Sequence, residues 1–472
     1  MKRITFFIIF SLFVQYLFGQ SNFKKIDLLI DKGEFKKAEE LIKKEICFNK
    51  KLTDLEKLRL NFEIERMNRI RLDFTKSEKE VVDYIKKYLP NVTKKDLLKW
   101  EKEKSLEFMI IDGEKLYFNN AARNLFRIDK ACKEIKAKKD TAKSSDEFNL
   151  LQLLTEIIDE SNKSNKTNVK PIKYKIDYTV TLKENVVPDG EIVRCWLPFP
   201  REVKGRQEDI KILSTYPDSY IISDNNKYMH RSIYFEQKVK SGEKTEFSVS
   251  FEYTCYAFYN KIDPEKVLPY NVNSEEYKKY TSEREPHIVF TKELKEISKK
   301  IVGLETNPYL KAKKIFEWVD SYAPWASARE YSTIKNIPMY CYENKHGDCG
   351  IQTLLFMTLA RMNGIPTRWQ SGWEPTTMHD WCQMYIEPYG WVPVDQSFGL
   401  QKSENEDIKW FYLGNIDNRR LIVNDEYSDI FYPAKIYPRS ETVDFQRGEL
   451  EWRGGNLYFD KWDYDFRIEE VK

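Results

Sequence analysis

The sequence predicts an α+β protein, and three changes of rhythm along its 472 residues carry that prediction. Up to about residue 160, apolar residues recur every three or four positions, as on the buried face of a helix. From Lys173 to about residue 262 the period is two, the mark of half-buried strands. Residues 263–400 combine both, with helical spacing in "LKAKKIFEWVDSYAPW" followed by an alternating hairpin. A tail over 401–472, with Tyr, Trp and turn residues, reads as short strands and loops packed on that body.

The chain opens with Lys2 and Arg3 before an apolar run, Ile4 to Phe18, that is short for a spanning helix. The small Gly19 suits cleavage before Gln20, so residues 1–19 read as a signal peptide. The alternative is a retained anchor, which that length disfavours. The mature chain is therefore expected outside the cytoplasm, periplasmic or extracellular, with no transmembrane segment. Its 78 basic and 75 acidic side chains nearly cancel, at net +3 for the full chain. Nothing in that balance recommends a nucleic-acid partner.

Residues 20–160 are expected to be mostly helical. "IDLLIDKGEFKKAEELIKKEI" has Gly33 at a turn between two helices, and Asp112-Gly113 in "LEFMIIDGEKLYF" signals a hairpin. This region is a candidate for contact with the cell envelope or a protein partner. Residues 161–172, within the polar stretch "ESNKSNKTNVKPI", are the expected linker. Runs such as "YKIDYTVTL", "EIVRCWLPFP" and "TEFSVSFEYTCYAFY" then predict a β-sandwich over 173–262. Cys195 and Cys255 fall on two of its strands, as a bridge or as two core thiols.

Seven cysteines are present. In an exported protein an odd count leaves at least one free thiol. Cys349 stands out, in "HGDCG" ahead of the apolar run "IQTLLFMTLARMNGIP". Asp348 is a good N-cap, and Gly364 and Pro366 end the helix. A thiol in the first turn feels the positive end of the helix dipole, which favours thiolate, although Asp348 pulls the other way. Gly347 and Gly350 would leave room for a substrate backbone. Taken alone, the motif fits a buried structural cysteine equally well.

The following hairpin changes that balance. In "HDWCQMYIEP" and "WVPVDQSFG", turning at Tyr389-Gly390, His379, Trp381, Gln383 and Tyr385 share one face. If Tyr385 opposes Trp391, Asp395 sits diagonal to His379, with Cβ atoms about 7 Å apart. Asp395 can then hold the His379 ring while the other ring nitrogen faces a thiolate, the nucleophile–base–orienter logic of acyl transfer.

"GDCGIQTLLFMTLARMNGIPTR", "HDW" and "YGWVPVDQSFG" together resemble the three blocks of the transglutaminase-like superfamily, over roughly residues 295–400. That resemblance implies a papain-like core in residues 263–400, with Cys349 as nucleophile, His379 as base and Asp395 as orienter. It also implies an oxyanion donor upstream of the cysteine, for which Trp325 is the candidate and Gln352 a weaker one. Asp380 departs from the family, which carries a small residue after the histidine. By strand parity Asp380 is expected to face away from the site. The sandwich and the tail segments "GNIDNRRLIVN" and "SETVDFQRGELEW" resemble bacterial exported members. The implied chemistry is attack on the amide bond of a protein or peptide; no sequence feature marks a lysine-binding groove, so hydrolysis is expected over amine transfer, with no cofactor.

Three other readings stand beside it. One is a cross-linking transglutaminase, and another an inactive binding module on the same fold. The third is a zinc site built from Cys341, His346, Cys349, His379 and Cys382. Strand parity argues against the last, since Cys382 points opposite to His379. Cys341 and Cys382 are expected to be either bridged or free, without metal.

Overall fold

The structure is a computed structural model that describes residues 22–140 and 149–471; the segment expected to be a signal peptide lies outside them. The chain forms two compact units, Met1–Thr141 and Ala142–Lys472. No helix of the described residues is long and apolar enough to cross a membrane.

The first unit is helical, with one hairpin. Helices Asp54–Asp73, Glu78–Lys86 and Lys94–Lys102 each begin with a reciprocal cap, Thr53 with Glu56, Ser77 with Glu80 and Thr93 with Asp96. Each box satisfies two of the amides that a helix start leaves unpaired. The hairpin pairs β1 (Phe108–Ile111) with β2 (Glu114–Tyr117), turning through Asp112 and Gly113, both at positive φ. Gly33, at φ +72°, has no room for a Cβ, which would lie 1.8 Å from the Ile110 carbonyl oxygen. The Asp112 amide donates to the Gly33 carbonyl at 2.8 Å, docking the hairpin on that turn. Phe35, Ala38, Ile42, Leu60, Met67 and Leu125 are core residues of this unit.

The second unit is α+β and begins earlier than the expected linker. Helix Leu150–Ser164 belongs to it, with Leu154, Ile157 and Ile158 in its main core. Residues 161–172, expected as a linker, are the end of this helix and the start of β3 (Asn168–Leu182). The polar composition misled because its polar groups are used locally. The Ser161 hydroxyl donates to the Lys166 carbonyl at 2.6 Å, and Val169 is buried.

Two sheets form the sandwich, in the orders β14-β13-β4-β7-β6 and β15-β3-β8-β5. Here β4 is Ile192–Pro198, β5 Gln207–Tyr216, β6 Ile221–Ile222, β7 Ser232–Lys238 and β8 Glu246–Phe258. Alternate residues face inward, Ile176, Tyr178 and Val180 from β3 against Cys195 and Leu197 from β4. The expectation of a sandwich confined to 173–262, with the tail laid over the core, is corrected. From the tail, β13 (Glu449–Trp452) pairs with β4 and β15 (Trp462–Glu470) with β3, while β14 (Gly455–Leu457) extends the edge beside β13. Without the tail β4 and β3 would each present an open edge.

The third sheet has the order β11-β10-β9-β12, with β9 Thr367–Glu374, β10 Thr377–Ile386, β11 Gly390–Val394 and the tail's β12 Leu421–Asn424. In β10 and β11, Tyr385 pairs with Trp391. Helix Cys349–Met362 is buried on every side from Gly350 to Arg361, packed with Cys382 and Met384 of β10 and with Phe316 of helix Pro308–Tyr322. A helix buried all round needs its polar residues satisfied. Arg361 donates to the Thr367 carbonyl at 2.6 Å and to the Ser282 carbonyl at 3.1 Å. All seven cysteines are free thiols, Cys195, Cys255, Cys341 and Cys382 buried among them.

Candidate functional site

Asp348 caps the helix that carries Cys349. Its Oδ1 accepts from the Ile351 amide at 3.1 Å and from the Tyr331 hydroxyl at 2.8 Å. Just before it, Gly347 is bridged in parallel to Trp325, with the Ala326 amide donating to the Gly347 carbonyl at 2.9 Å. Cys349 therefore lies in a cleft of about 280 Å³, lined also by Trp325, Asp380, Glu441, Asp444 and Arg447. Trp325 is 43% exposed there, which is not the position of a core aromatic. Gln352 is not at the cleft: it is buried, and its amide nitrogen donates to the Ala323 carbonyl at 2.7 Å.

The room left by the two glycines is taken by the protein itself. A Cβ on Gly350 would lie 2.3 Å from the Tyr331 hydroxyl and 2.6 Å from Asp380 Oδ2. One on Gly347 would strike Ile351 at 2.3 Å. The expected passage for a substrate backbone is thus a tight seat for Tyr331, Asp380 and Ile351.

His379 and Asp395 meet on one face of β10. The ring Nε2 and Asp395 Oδ2 are 2.7 Å apart, and the ring stacks near Trp381 and edge-on to Phe398. Asp395 Oδ2 also accepts from Arg420 Nη2 at 3.0 Å, and Arg420 pairs with Asp417 at 3.2 Å and Glu374 at 3.3 Å. Burial pushes the Asp395 carboxyl up, but His379 and Arg420 outweigh it and hold it below its usual range.

Asp380, on the other face of β10, touches the thiol. Cys349 Sγ donates to Asp380 Oδ2 at 3.5 Å, Gln446 Nε2 donates to the same carboxylate at 2.7 Å, and the Tyr331 hydroxyl lies 3.1 Å from it. Asp380 was expected to face away from the site. Parity does put it opposite to His379, but the helix that carries Cys349 approaches from the Asp380 side. Among the described residues His379 makes no hydrogen bond to the sulfur. The Asp395 charge nevertheless acts on the thiol, adding to what raises it.

Electrostatics here run against a free thiolate. Burial, then the Asp380 and Asp348 carboxylates, push the Cys349 thiol well above its usual range, with the Asp380 amide opposing them. These effects oppose the ready thiolate expected at a helix start. Asp380 is itself pushed well up by burial and by Asp444 and Asp348. Burial raises Asp348 to about 6. Arg447 cannot neutralise them, being bonded to Glu330 at 2.7 Å and Glu441 at 2.8 Å.

Tyr331, Asp380, Arg420 and Gln446 were missed as site residues. Only Asp380 had a signal, as the residue out of place in its block. The five residues of the zinc alternative do not converge: Cys341 and Cys382 lie in the packed core, and Cys349 faces Asp380. Among the described residues no group of three or more His, Cys, Asp or Glu is arranged to hold a metal ion.

Comparison with known proteins adds a match over part of the chain. Residues 295–396 match the family described as the transglutaminase-like superfamily. An uncharacterised protein of Haemophilus influenzae is 25% identical over 256 residues, which is 45% of this chain and 66% of the relative. A solved structure from Cytophaga hutchinsonii, named as a candidate cysteine protease, aligns over 65% of this chain and 92% of its own, at 14% identity and TM-score 0.44. The periplasmic domain of TgpA from Pseudomonas aeruginosa aligns over 49% of this chain and 93% of its own, at 10% identity and TM-score 0.26.

Proposed function

For a chain that contains a domain of the transglutaminase-like superfamily, we propose the work of an exported, cysteine-dependent acyl-transfer enzyme that cleaves amide or peptide bonds. The observation that carries this reading is a thiol at the start of a buried helix, in a cleft beside the strand that holds the bonded His379–Asp395 pair.

Cys349 attacks the amide carbonyl. His379, with Nε2 held by Asp395, takes the sulfur's proton on Nδ1 and passes it to the departing amine. Arg420 keeps Asp395 ionised, so the imidazolium that forms has a partner. The sulfur–imidazole hydrogen bond that this step needs is not among those of the described residues; in this mechanism it forms when substrate binds. The Cys349 amide, among the amides left unpaired at a helix start, and the Trp325 indole are the oxyanion donors. The thioester is then resolved by water, because the open, carboxylate-lined cleft around Cys349 favours no apolar amine channel over water.

A second reading, an inactive binding module on the same fold, is supported by the Cys349–Asp380 hydrogen bond, which holds the sulfur as a thiol. Incubation with a peptide and amide library plus excess labelled primary amine separates them. Products that contain water, lost in Cys349→Ala, are expected. Amine incorporation exceeding hydrolysis would assign cross-linking, and no Cys349-dependent product would leave the binding module. The helical unit ahead of residue 142 is assigned to contact with a partner or the envelope.

A further inference from the structure

The residue after His379 is a buried carboxylate, and the structure puts it against the reacting atom. Asp380 Oδ2 accepts from Cys349 Sγ at 3.5 Å and lies 3.1 Å from the Tyr331 hydroxyl, whose one proton it shares with Asp348, while Oδ1 accepts from Gln446 at 2.7 Å. The seat is built for it: Gly350 has no Cβ at the point where one would lie 2.6 Å from Asp380 Oδ2. Gln446 also donates to the His379 carbonyl at 2.8 Å, fixing the strand backbone with the side chain.

We propose that Asp380 is a positioning residue and electrostatic brake on Cys349: while ionised, its carboxylate holds the sulfur as a thiol, and removing that charge releases the thiolate. This rests on the reading of Cys349 as the nucleophile. The surrounding charges explain why the brake is not already cancelled. The helix start contributes Asp348, the loop before it Arg329, Glu330 and Tyr331, and the tail Glu441, Asp444 and Arg447. Arg447 is taken by Glu330 and Glu441. Among the described residues Asp348, Asp380 and Asp444 form no ion pair. On the far face of the strand, Arg420 is spent on Asp395, Asp417 and Glu374, and His379 on Asp395. Asp380 thus touches the sulfur with no cation between them. Its charge acts on the thiol–thiolate equilibrium directly.

Asp380→Asn tests this with little disturbance. The amide oxygen can still accept from Gln446, and the amide nitrogen can donate to the sulfur where the carboxylate accepted. The rate of iodoacetamide labelling at Cys349, mapped by mass spectrometry across pH, should shift its midpoint down by about one pH unit, raising the rate roughly tenfold at those pH values below the midpoint where Asp380 is ionised. Asp380→Ala should shift it in the same direction, with Tm followed in parallel. An unchanged midpoint in both variants overturns the brake. So does slower labelling in a variant whose Tm is unchanged, which would make Asp380 a supporter of the thiolate. Turnover by the wild-type chain and Cys349→Ala is measured alongside. If Cys349-dependent turnover is present and the midpoint does not move, the brake fails and the proposed function stands. If the midpoint moves and no turnover depends on Cys349, the function fails and the brake stands.

Discussion

The two faces of β10 carry a buried carboxylate each and treat it in opposite ways. Asp395, beside His379, lies below its usual range because His379 and Arg420 overcome the cost of burial. Asp380, behind the same strand, is equally shut from water, lacks a cation and is pushed well up by burial and by Asp444 and Asp348. Burial by itself is therefore uninformative about charge; what decides is whether a cation is bonded to the group. In the proposed mechanism one face supports an imidazolium, and in the proposed brake the other restrains the sulfur.

The largest expected effect breaks the His379 face. His379→Ala should lower peptide or amide turnover by about 10²–10⁴-fold, the range for losing a general base, and should slow Cys349 labelling. The sign is opposite to that expected at Asp380, one residue away. Equal effects at both positions would erase the contrast between the faces.

Arg420→Met tests the cation directly. It leaves Asp395, Asp417 and Glu374 clustered without their shared partner, all but Glu374 fully buried. Urea unfolding should show a loss of about 3–5 kcal/mol, the cost of stranding a buried charge. A loss below 1 kcal/mol would mean that Asp395 does not depend on Arg420 for its ionisation.

Gly350→Ala tests the packing behind the Asp380 face. Displacing Tyr331 and Asp380 should cost about 1–3 kcal/mol, more than the roughly 1 kcal/mol that alanine returns to a helix. A more stable variant, with labelling unchanged, would show that the seat is not tight.

The smallest effect concerns pH. Asp348 rises in the fold from 3.8 to about 6, so folding tightens its proton. The stability it contributes is full below its unfolded value and is lost as pH rises through about 6. Asp395, depressed in the fold, behaves in reverse: its contribution is present above the unfolded value and is lost on acidification. Asp348→Asn keeps an equally good N-cap without the charge. Its Tm should therefore gain on the wild type between pH 4.5 and pH 7.5, and a constant difference would contradict the assignment.

Part of this site was legible before any coordinates. The capping Asp348, the helix run after Cys349 and the alternation that puts His379 and Asp395 on one face all follow from local periodicity. Which face of the strand receives the helix does not. Periodicity groups residues by side, and only packing against the long helix decides that Asp380 meets the sulfur. Arg420 lies 25 residues beyond Asp395 in a segment whose spacing has no local partner, and Gly350 reads alike whether it admits a substrate or a neighbour. The polar stretch at 161–172 failed for a related reason. Its hydroxyls and amides are satisfied within the fold, which composition cannot register.

The central claim is that Cys349 forms a thioester that water resolves. The direct measurement is intact-mass spectrometry of the protein quenched in acid during turnover of a cleaved peptide, on the wild type and Cys349→Ala. An acyl adduct that maps to Cys349, decays with release of the free acid and is missing from Cys349→Ala is the expected result. Cleavage that continues in Cys349→Ala, or no adduct at Cys349 while product accumulates in single-turnover time points, would contradict it.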